Sequence, residues 1–171
     1  MKRTSVFLMV VLALMLTTSI AFASPAAQAT IVTQLSGAEE VPPRDTDAHG
    51  IVLLKPSSDG TSLDYRLIVA NIENVTAAHI HCGPAGENGP VGVTLYHGGL
   101  PGSGPVDGVL SAGTATAPDA GNACDWETIQ DVLDAMATGN TYVNVHTNDG
   151  VAPTNTGPGD FPGGEIRGQI Q

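Results

Sequence analysis

Short segments in which apolar and polar residues alternate recur along this chain, and stretches rich in glycine and proline separate them. Because successive side chains of a strand point to opposite faces, this alternation predicts strands that each turn one face towards a core. The alternation predicts strands at residues 30–36, 48–55, 62–70, 76–82, 91–96, 108–115, 142–147 and 164–170. Short strands separated by turn residues are typical of antiparallel folds, so we predict an all-β Greek-key sandwich or barrel of about eight strands.

One segment departs from this pattern and predicts a short helix. Its apolar residues recur at helical spacing, at Trp126, Ile129, Val132, Leu133 and Met136. The Asp125 carboxylate is expected to cap the first turn, and Gly139 suits the end of the helix. We expect this helix to cover one end or edge of the sheet, with its apolar stripe in the core.

Residues 1–23 are typical of a signal peptide. Lys2 and Arg3 give a basic start to an apolar run, which ends at the small-residue cleavage motif of residues 21–23, with a second such motif at residues 27–29. The alternative is an uncleaved membrane anchor, although the apolar run is shorter than the ~20 residues of a membrane-spanning helix. The sequence therefore predicts a secreted or periplasmic protein that is not inserted in the membrane after cleavage.

The rest of the chain is acidic and has the length of one domain, which we place at residues 30–171. Residues 24–171 carry four basic and 17 acidic side chains, a formal charge of −13. This charge argues against nucleic acid and anionic membrane surfaces as partners, because both are negatively charged. The partner is then expected to be an extracellular macromolecule or a small ligand, whose identity the sequence leaves open.

The chain has two cysteines, Cys82 and Cys124. In an exported protein two cysteines most simply form a disulfide, so we predict this pair. The alternative is that Cys82 is a thiolate metal ligand beside His81. The alternation opposes it, because neighbouring residues of a strand point to opposite faces.

Three of the predicted strands carry polar residues with functional side chains opposite their apolar face. If these strands are neighbours, the imidazoles of His79, His81 and His146 lie together and can hold zinc or copper. Glu165 is the candidate for a fourth ligand. The sequence alone does not show that the strands are adjacent.

The same polar faces carry Tyr142, Asn144 and Arg167, which we predict to form a binding face beside the histidines. The alternative to a metal site is a hydrogen-bonded polar surface, in which Glu165 and Arg167 pair and the histidines bond to backbone groups. No catalytic residues are predicted from the sequence.

Four motifs resemble the chordin-type (CHRD) domain family and occur in the order of that family. They are the segments at residues 35–43 (LSGAEEVPP), 78–86 (AHIHCGPAG), 142–147 (YVNVHT) and 163–169 (GGEIRGQ). The resemblance covers nearly the whole predicted domain. It implies an extracytoplasmic all-β module and provides no catalytic residues to carry over.

These observations lead to one main hypothesis and two alternatives. The main hypothesis is an exported, non-catalytic CHRD module that binds an unknown ligand or has a structural role. The first alternative is a zinc- or copper-binding protein that uses the three histidines. The second is a metal-dependent oxidoreductase, by analogy with histidine-bearing Greek-key sandwiches.

Overall fold

The computed structural model describes residues 29–171, so the predicted signal peptide lies outside the described residues. Its strands are β1 (Ile31–Ser36), β2 (His49–Pro56), β3 (Leu63–Glu73), β4 (Val75–Cys82), β5 (Val91–His97), β6 (Pro105–Ala115), β7 (Thr141–Thr147) and β8 (Ile166–Ile170). A helix, α1 (Ile129–Ala137), lies between β6 and β7, and a 3-10 turn (Gly37–Glu39) follows β1. The predicted all-β class is confirmed. Within residues 29–171, no helix has the length and apolar character that a membrane crossing requires.

All eight strands belong to one antiparallel sheet, in the order β5-β4-β7-β8-β1-β2-β3-β6. The sheet curls until its two edge strands meet. There the hydroxyls of Tyr65 in β3 and Ser111 in β6 both donate to the carbonyl of Leu95 in β5, at 3.2 Å and 2.6 Å. The result is a nearly closed barrel, around which β7, β4, β5 and β6 follow one another in Greek-key order.

The apolar face of each strand points into the barrel, as the alternation predicts. Ile80 of β4, Val143 of β7 and Ile166 of β8 are fully buried there, together with Leu54 and Leu67 from the opposite side. This interior contains the main hydrophobic cluster of the described residues. Because alternate residues of a strand point to opposite faces, the barrel interior also determines which side chains β4, β7 and β8 present outwards.

The helix starts later than the sequence predicts. Its N-cap is Thr128, whose side chain accepts from the backbone N–H of Asp131 while the Asp131 carboxylate accepts from Thr128 N–H, a capping box. Asp125 is not the cap; it lies three residues earlier in the left-handed region, at φ +59°. Trp126 therefore belongs to the preceding loop, where its ring packs over Gly92.

Two loops cover the outer face of β4, β7 and β8. The β4–β5 loop (residues 83–90) is anchored by Arg167, which donates to the carbonyl of Pro84 at 3.2 Å. The β7–β8 loop (residues 148–165) is anchored by Phe161, whose carbonyl accepts from Thr147 N–H. This outer face is therefore buried although it is polar.

Candidate functional site

Strands β4 and β7 bring the three predicted histidine ligands together. In the register of this pair, His79 lies opposite Asn144 and Ala77 lies opposite His146. The ring of His79 is 4.9 Å from that of His146 and 5.5 Å from that of His81, measured between centroids. One ring nitrogen from each histidine lies within 4.8 Å of the other two. We call His79, His81 and His146 the histidine cluster.

Backbone carbonyls determine which nitrogens of the cluster can bind a ligand. The Nδ1 atoms of His81 and His146 lie 2.9 Å from the carbonyl oxygens of Gly89 and Pro162, respectively. Because a carbonyl only accepts, both Nδ1 atoms carry the proton, and each Nε2 keeps its lone pair. A second-shell carbonyl of this kind is typical of metal-ligating histidines.

The Nε2 atom of His146 lies inside the cluster, where it accepts a hydrogen bond from Nδ1–H of His79. His146 Nε2 is 3.0 Å from His79 Nδ1. His81 Nε2 is buried and has no hydrogen-bond partner among residues 29–171. Four ligands at about 2.0–2.1 Å from a tetrahedral ion lie roughly 3.3 Å from one another, so small side-chain movements would close this cluster around an ion.

Burial keeps the three imidazoles neutral. It lowers the pKa of His79 to about 4, and the neighbouring His146 and His81 rings add to that shift. It also lowers the pKa of His146 to about 4 and that of His81 below its ordinary value. At pH 7 the cluster therefore presents lone pairs rather than charges, which metal binding requires.

The structure does not bring Glu165 to the cluster, in contrast to the sequence prediction. Its Oε1 accepts from the Thr46 hydroxyl at 2.7 Å, and its Oε2 accepts from the Thr147 hydroxyl at 2.6 Å and from Gly159 N–H at 2.9 Å. Glu165 lies just before β8, at one end of the barrel, and both of its carboxylate oxygens bond to groups there and not to the histidines. Glu165 therefore stabilises the β7–β8 loop.

The predicted binding face is also placed differently. Tyr142, Asn144 and Arg167 are at most 2% exposed, because the β4–β5 loop covers Tyr142 and Arg167 and the β7–β8 loop contacts Asn144. The Arg167 guanidinium carbon lies 3.4 Å from the centroid of the Tyr142 ring. On its other side Tyr142 stacks on His81, with centroids 4.8 Å apart and planes at 11°. These residues support the histidine cluster and do not form an open surface.

Three contributors to the site have no clear sequence signal. The Gly89 and Pro162 carbonyls are backbone atoms, which every residue has, so the sequence does not single them out. Asp119 lies in a loop after β6; its carboxylate accepts from the Thr94 hydroxyl at 2.6 Å, and its charge acts to raise the pKa of His79. One negative charge thus lies near His79.

A buried carboxyl lies on the same side of the barrel. Glu40 is 4% exposed, and its Oε1 has no hydrogen-bond partner in the described part of the chain. Burial raises the pKa of Glu40 to about 7, although the charges of Arg167 and Arg44 oppose the shift. Gly164 lies close to both Glu40 and Asn144, so this carboxyl lies on the outer face, near the histidine-bearing strands.

The predicted disulfide between Cys82 and Cys124 is confirmed, with Cα atoms 5.8 Å apart. It joins the end of β4 to the loop before α1. Since both cysteines of the chain are in this bond, neither provides a thiolate ligand to the cluster. The disulfide lies one residue after His81 and so fixes the point where the β4–β5 loop begins.

The fold and the site together define an antiparallel β-barrel module with a histidine cluster under two loops. The family model for the CHRD domain matches residues 31–170, and the chain belongs to the CHRD domain family. The resemblance predicted from the four motifs is thus confirmed. Membership indicates a small, non-catalytic binding or structural module. No curated protein matches the chain, and no solved structure does.

Proposed function

We propose that this CHRD module binds one transition-metal ion, zinc or copper, through His79, His81 and His146. The observation that carries the proposal is the buried Nε2 of His81, which makes no hydrogen bond among the described residues although the Asn144 side chain lies beside the ring. Leaving a buried polar group unsatisfied costs about 1–3 kcal/mol. A metal ion held jointly with the two neighbouring imidazoles would satisfy it.

The donor set supports zinc or copper over other ions. Three neutral imidazoles are nitrogen ligands, which suit zinc and copper, whereas calcium and magnesium prefer oxygen ligands. The carbonyls that hold Nδ1 of His81 and His146 also support the proposal, because they orient the rings before an ion arrives. Three protein ligands leave a fourth position for water or a ligand.

We also propose that the module acts outside the cytoplasm. The basic start and apolar run of residues 1–23 support export, and so does the Cys82–Cys124 disulfide, since such bonds persist in oxidising compartments. N-terminal mass mapping of the native protein should find a mature chain that begins near Ser24 or Thr30. Recovery of an intact chain in the membrane fraction would contradict export.

Calorimetric titration of untagged, chelator-treated protein tests metal binding directly. We expect zinc or copper to bind with one ion per chain, and calcium not to bind. His81→Ala should abolish binding, while His49→Ala is the matched control, because His49 is exposed on β2 and its Nδ1 bonds to the Asp47 carbonyl. Bound metal should also raise the Tm, since a ligand stabilises the state that binds it.

Two results would overturn the proposal. One is the absence of zinc and copper binding to the wild-type protein at micromolar concentrations. The other is binding that His81→Ala leaves unchanged, because the ion would then lie elsewhere. Equal losses in His81→Ala and His49→Ala would mean that the substitutions act on the whole fold, and the site as described would be wrong.

A further inference from the structure

His81 is part of a stack that spans three neighbouring strands. Tyr142 of β7 lies directly opposite His81 of β4 in the sheet register, and Arg167 of β8 stacks on the Tyr142 ring. Tyr142 is 2% exposed and Arg167 is 1% exposed, so the stack is closed to solvent. Cation–π contacts of this kind strengthen when water is excluded.

The same two residues hold the loop that bonds to His81. Tyr142 Oη accepts from Gly89 N–H at 3.1 Å, and the Arg167 guanidinium donates to the carbonyl of Pro84 at 3.2 Å and to the side-chain oxygen of Asn88 at 3.3 Å. Gly89 in turn provides the carbonyl that accepts from His81 Nδ1. The position of that carbonyl therefore depends on Tyr142 and Arg167.

From this arrangement we infer that Tyr142 and Arg167 are positioning residues for His81, which fix its ring plane and its Nδ1–H tautomer so that Nε2 points into the histidine cluster. Stacking fixes the plane of the imidazole, and the anchored loop fixes its protonated nitrogen. A neutral imidazole has two tautomers, and its hydrogen-bond partner selects between them. Without the Gly89 carbonyl in place, the proton is free to occupy Nε2, which then cannot bind an ion.

This inference rests on the proposed function, because orienting His81 serves metal binding. The effect of Tyr142 and Arg167 on the His81 tautomer can nevertheless be tested without metal. Long-range ¹H–¹⁵N NMR spectra of histidine-labelled, metal-free protein report which ring nitrogen carries the proton. The wild-type spectrum at pH 7 should show His81 protonated at Nδ1. A purely structural role of Tyr142 would change the stability of the protein but would not change this tautomer.

Tyr142→Leu removes the ring and its hydroxyl, so His81 should populate both tautomers. Zinc affinity should fall about 10-fold or more, the usual effect of losing a second-shell partner. Tyr65→Leu is the matched control, because Tyr65 is a half-buried tyrosine of β3 whose hydroxyl bonds to the Leu95 carbonyl and not to the β4–β5 loop. It should leave the tautomer of His81 and the zinc affinity within about twofold of wild type.

Two conservative variants keep the test valid if Tyr142→Leu does not fold. Tyr142→Phe retains the stacked ring but loses the bond to Gly89, and Arg167→Lys retains the charge but loses the planar stack. Both should shift the tautomer of His81 part of the way. The inference is overturned if His81 stays protonated at Nδ1 and zinc affinity stays within twofold in Tyr142→Phe, in Arg167→Lys and, where it folds, in Tyr142→Leu.

The results separate this inference from the proposed function. Wild-type protein that binds no metal, but whose His81 tautomer follows Tyr142 and Arg167, would reject the metal site and support the positioning. Wild-type protein that binds zinc, with a His81 tautomer that does not respond to the variants, would support the metal site and reject the positioning.

Discussion

The inner face of β4, β7 and β8 is fully buried and the outer face is mostly buried, yet the two faces are stabilised in different ways. On the inner face Ile80 and Val143 are fully buried among apolar side chains, whose contacts have no preferred direction. On the outer face His81 and Asn144, the neighbours of those residues in sequence, are 6% and 2% exposed. There each polar group depends on particular partners at particular distances.

The difference lies in what covers each face. The other strands of the barrel cover the inner face, whereas the two loops cover the outer face and present carbonyls such as those of Gly89 and Pro162. Burial of a polar face is tolerated when its groups are satisfied in this way. Changes inside the barrel should therefore alter stability, and changes outside it should alter the histidine cluster first.

The largest effect is expected from a cavity on the inner face. Ile80→Ala should lower the free energy of unfolding by about 2–5 kcal/mol, because a fully buried side chain is lost. Val32→Ala is the control, since Val32 is 55% exposed, and it should cost about 0.5 kcal/mol or less. Urea unfolding measures both. Equal effects of the two substitutions would remove the distinction between the faces.

The disulfide links the two faces, and its loss should be the next largest effect. The double variant Cys82→Ser, Cys124→Ser should lose ~2–4 kcal/mol of stability. Hydrogen exchange should also speed up in residues 83–90, because the cross-link fixes the start of that loop. Unchanged exchange in the loop, alongside reduced stability, would show that the disulfide supports the barrel alone.

Acid should act on the outer face, where the titrating histidines lie. Unfolded histidines, with a pKa of about 6.5, bind protons that the buried His79 and His146 do not bind until about pH 4. The folded state thus loses stability as pH falls from 6.5 towards 4, on the order of 2 kcal/mol between pH 7 and pH 5 once solvent screening at the partly exposed His79 and His146 is allowed for. Urea unfolding of metal-free protein at several pH values measures this slope.

Glu40 acts in the opposite direction and provides the control for the pH experiment. The pKa of Glu40 is about 7 in the folded state and 4.5 in the unfolded state, so the unfolded chain loses this proton at a lower pH. Glu40 therefore lowers the stability of the folded state as pH rises from 4.5 to about 7. Glu40→Gln should therefore steepen the gain in stability between pH 5 and pH 7, and His146→Gln should flatten it. A slope that neither variant changes would contradict this assignment.

The smallest effect concerns the helix. Thr128→Ala removes the N-cap and should cost about 1 kcal/mol, because α1 contributes Ile129 and Val132 to the inner core. The NMR signals of the histidine cluster should not shift. Thr154→Ala, at an exposed threonine of the β7–β8 loop, is the matched control and should change stability by less than about 0.5 kcal/mol.

The strands and the three histidines were predictable from the sequence because both follow from local alternation. Val143 and Val145 must face inwards, so His146 must face outwards beside His79 and His81. Alternation gives the side of the sheet on which a residue lies, but not what covers that side. The burial of Asn144 and Arg167 therefore could not be predicted, since it depends on loops distant in sequence.

The helix start and the role of Glu165 show the same limit. Trp126 fits the apolar period of α1, but a capping box at Thr128 competes with it and determines the first turn. Glu165 has the right chemistry for a metal ligand, but its partners Thr46 and Thr147 come from other parts of the chain. In both cases a specific hydrogen bond outweighs a pattern that sequence spacing alone suggests.

The two edge strands of the sheet, β5 and β6, meet where the barrel closes, and this junction has few hydrogen bonds. Side-chain hydrogen bonds to the Leu95 carbonyl join the two strands there, in place of a continuous ladder of backbone hydrogen bonds. Thermal breathing should concentrate there, because local opening starts where few backbone bonds must break. The barrel can then widen while β4 and β7 stay paired. The barrel should thus open locally between β5 and β6, while the paired strands β4 and β7 keep His79, His81 and His146 in place.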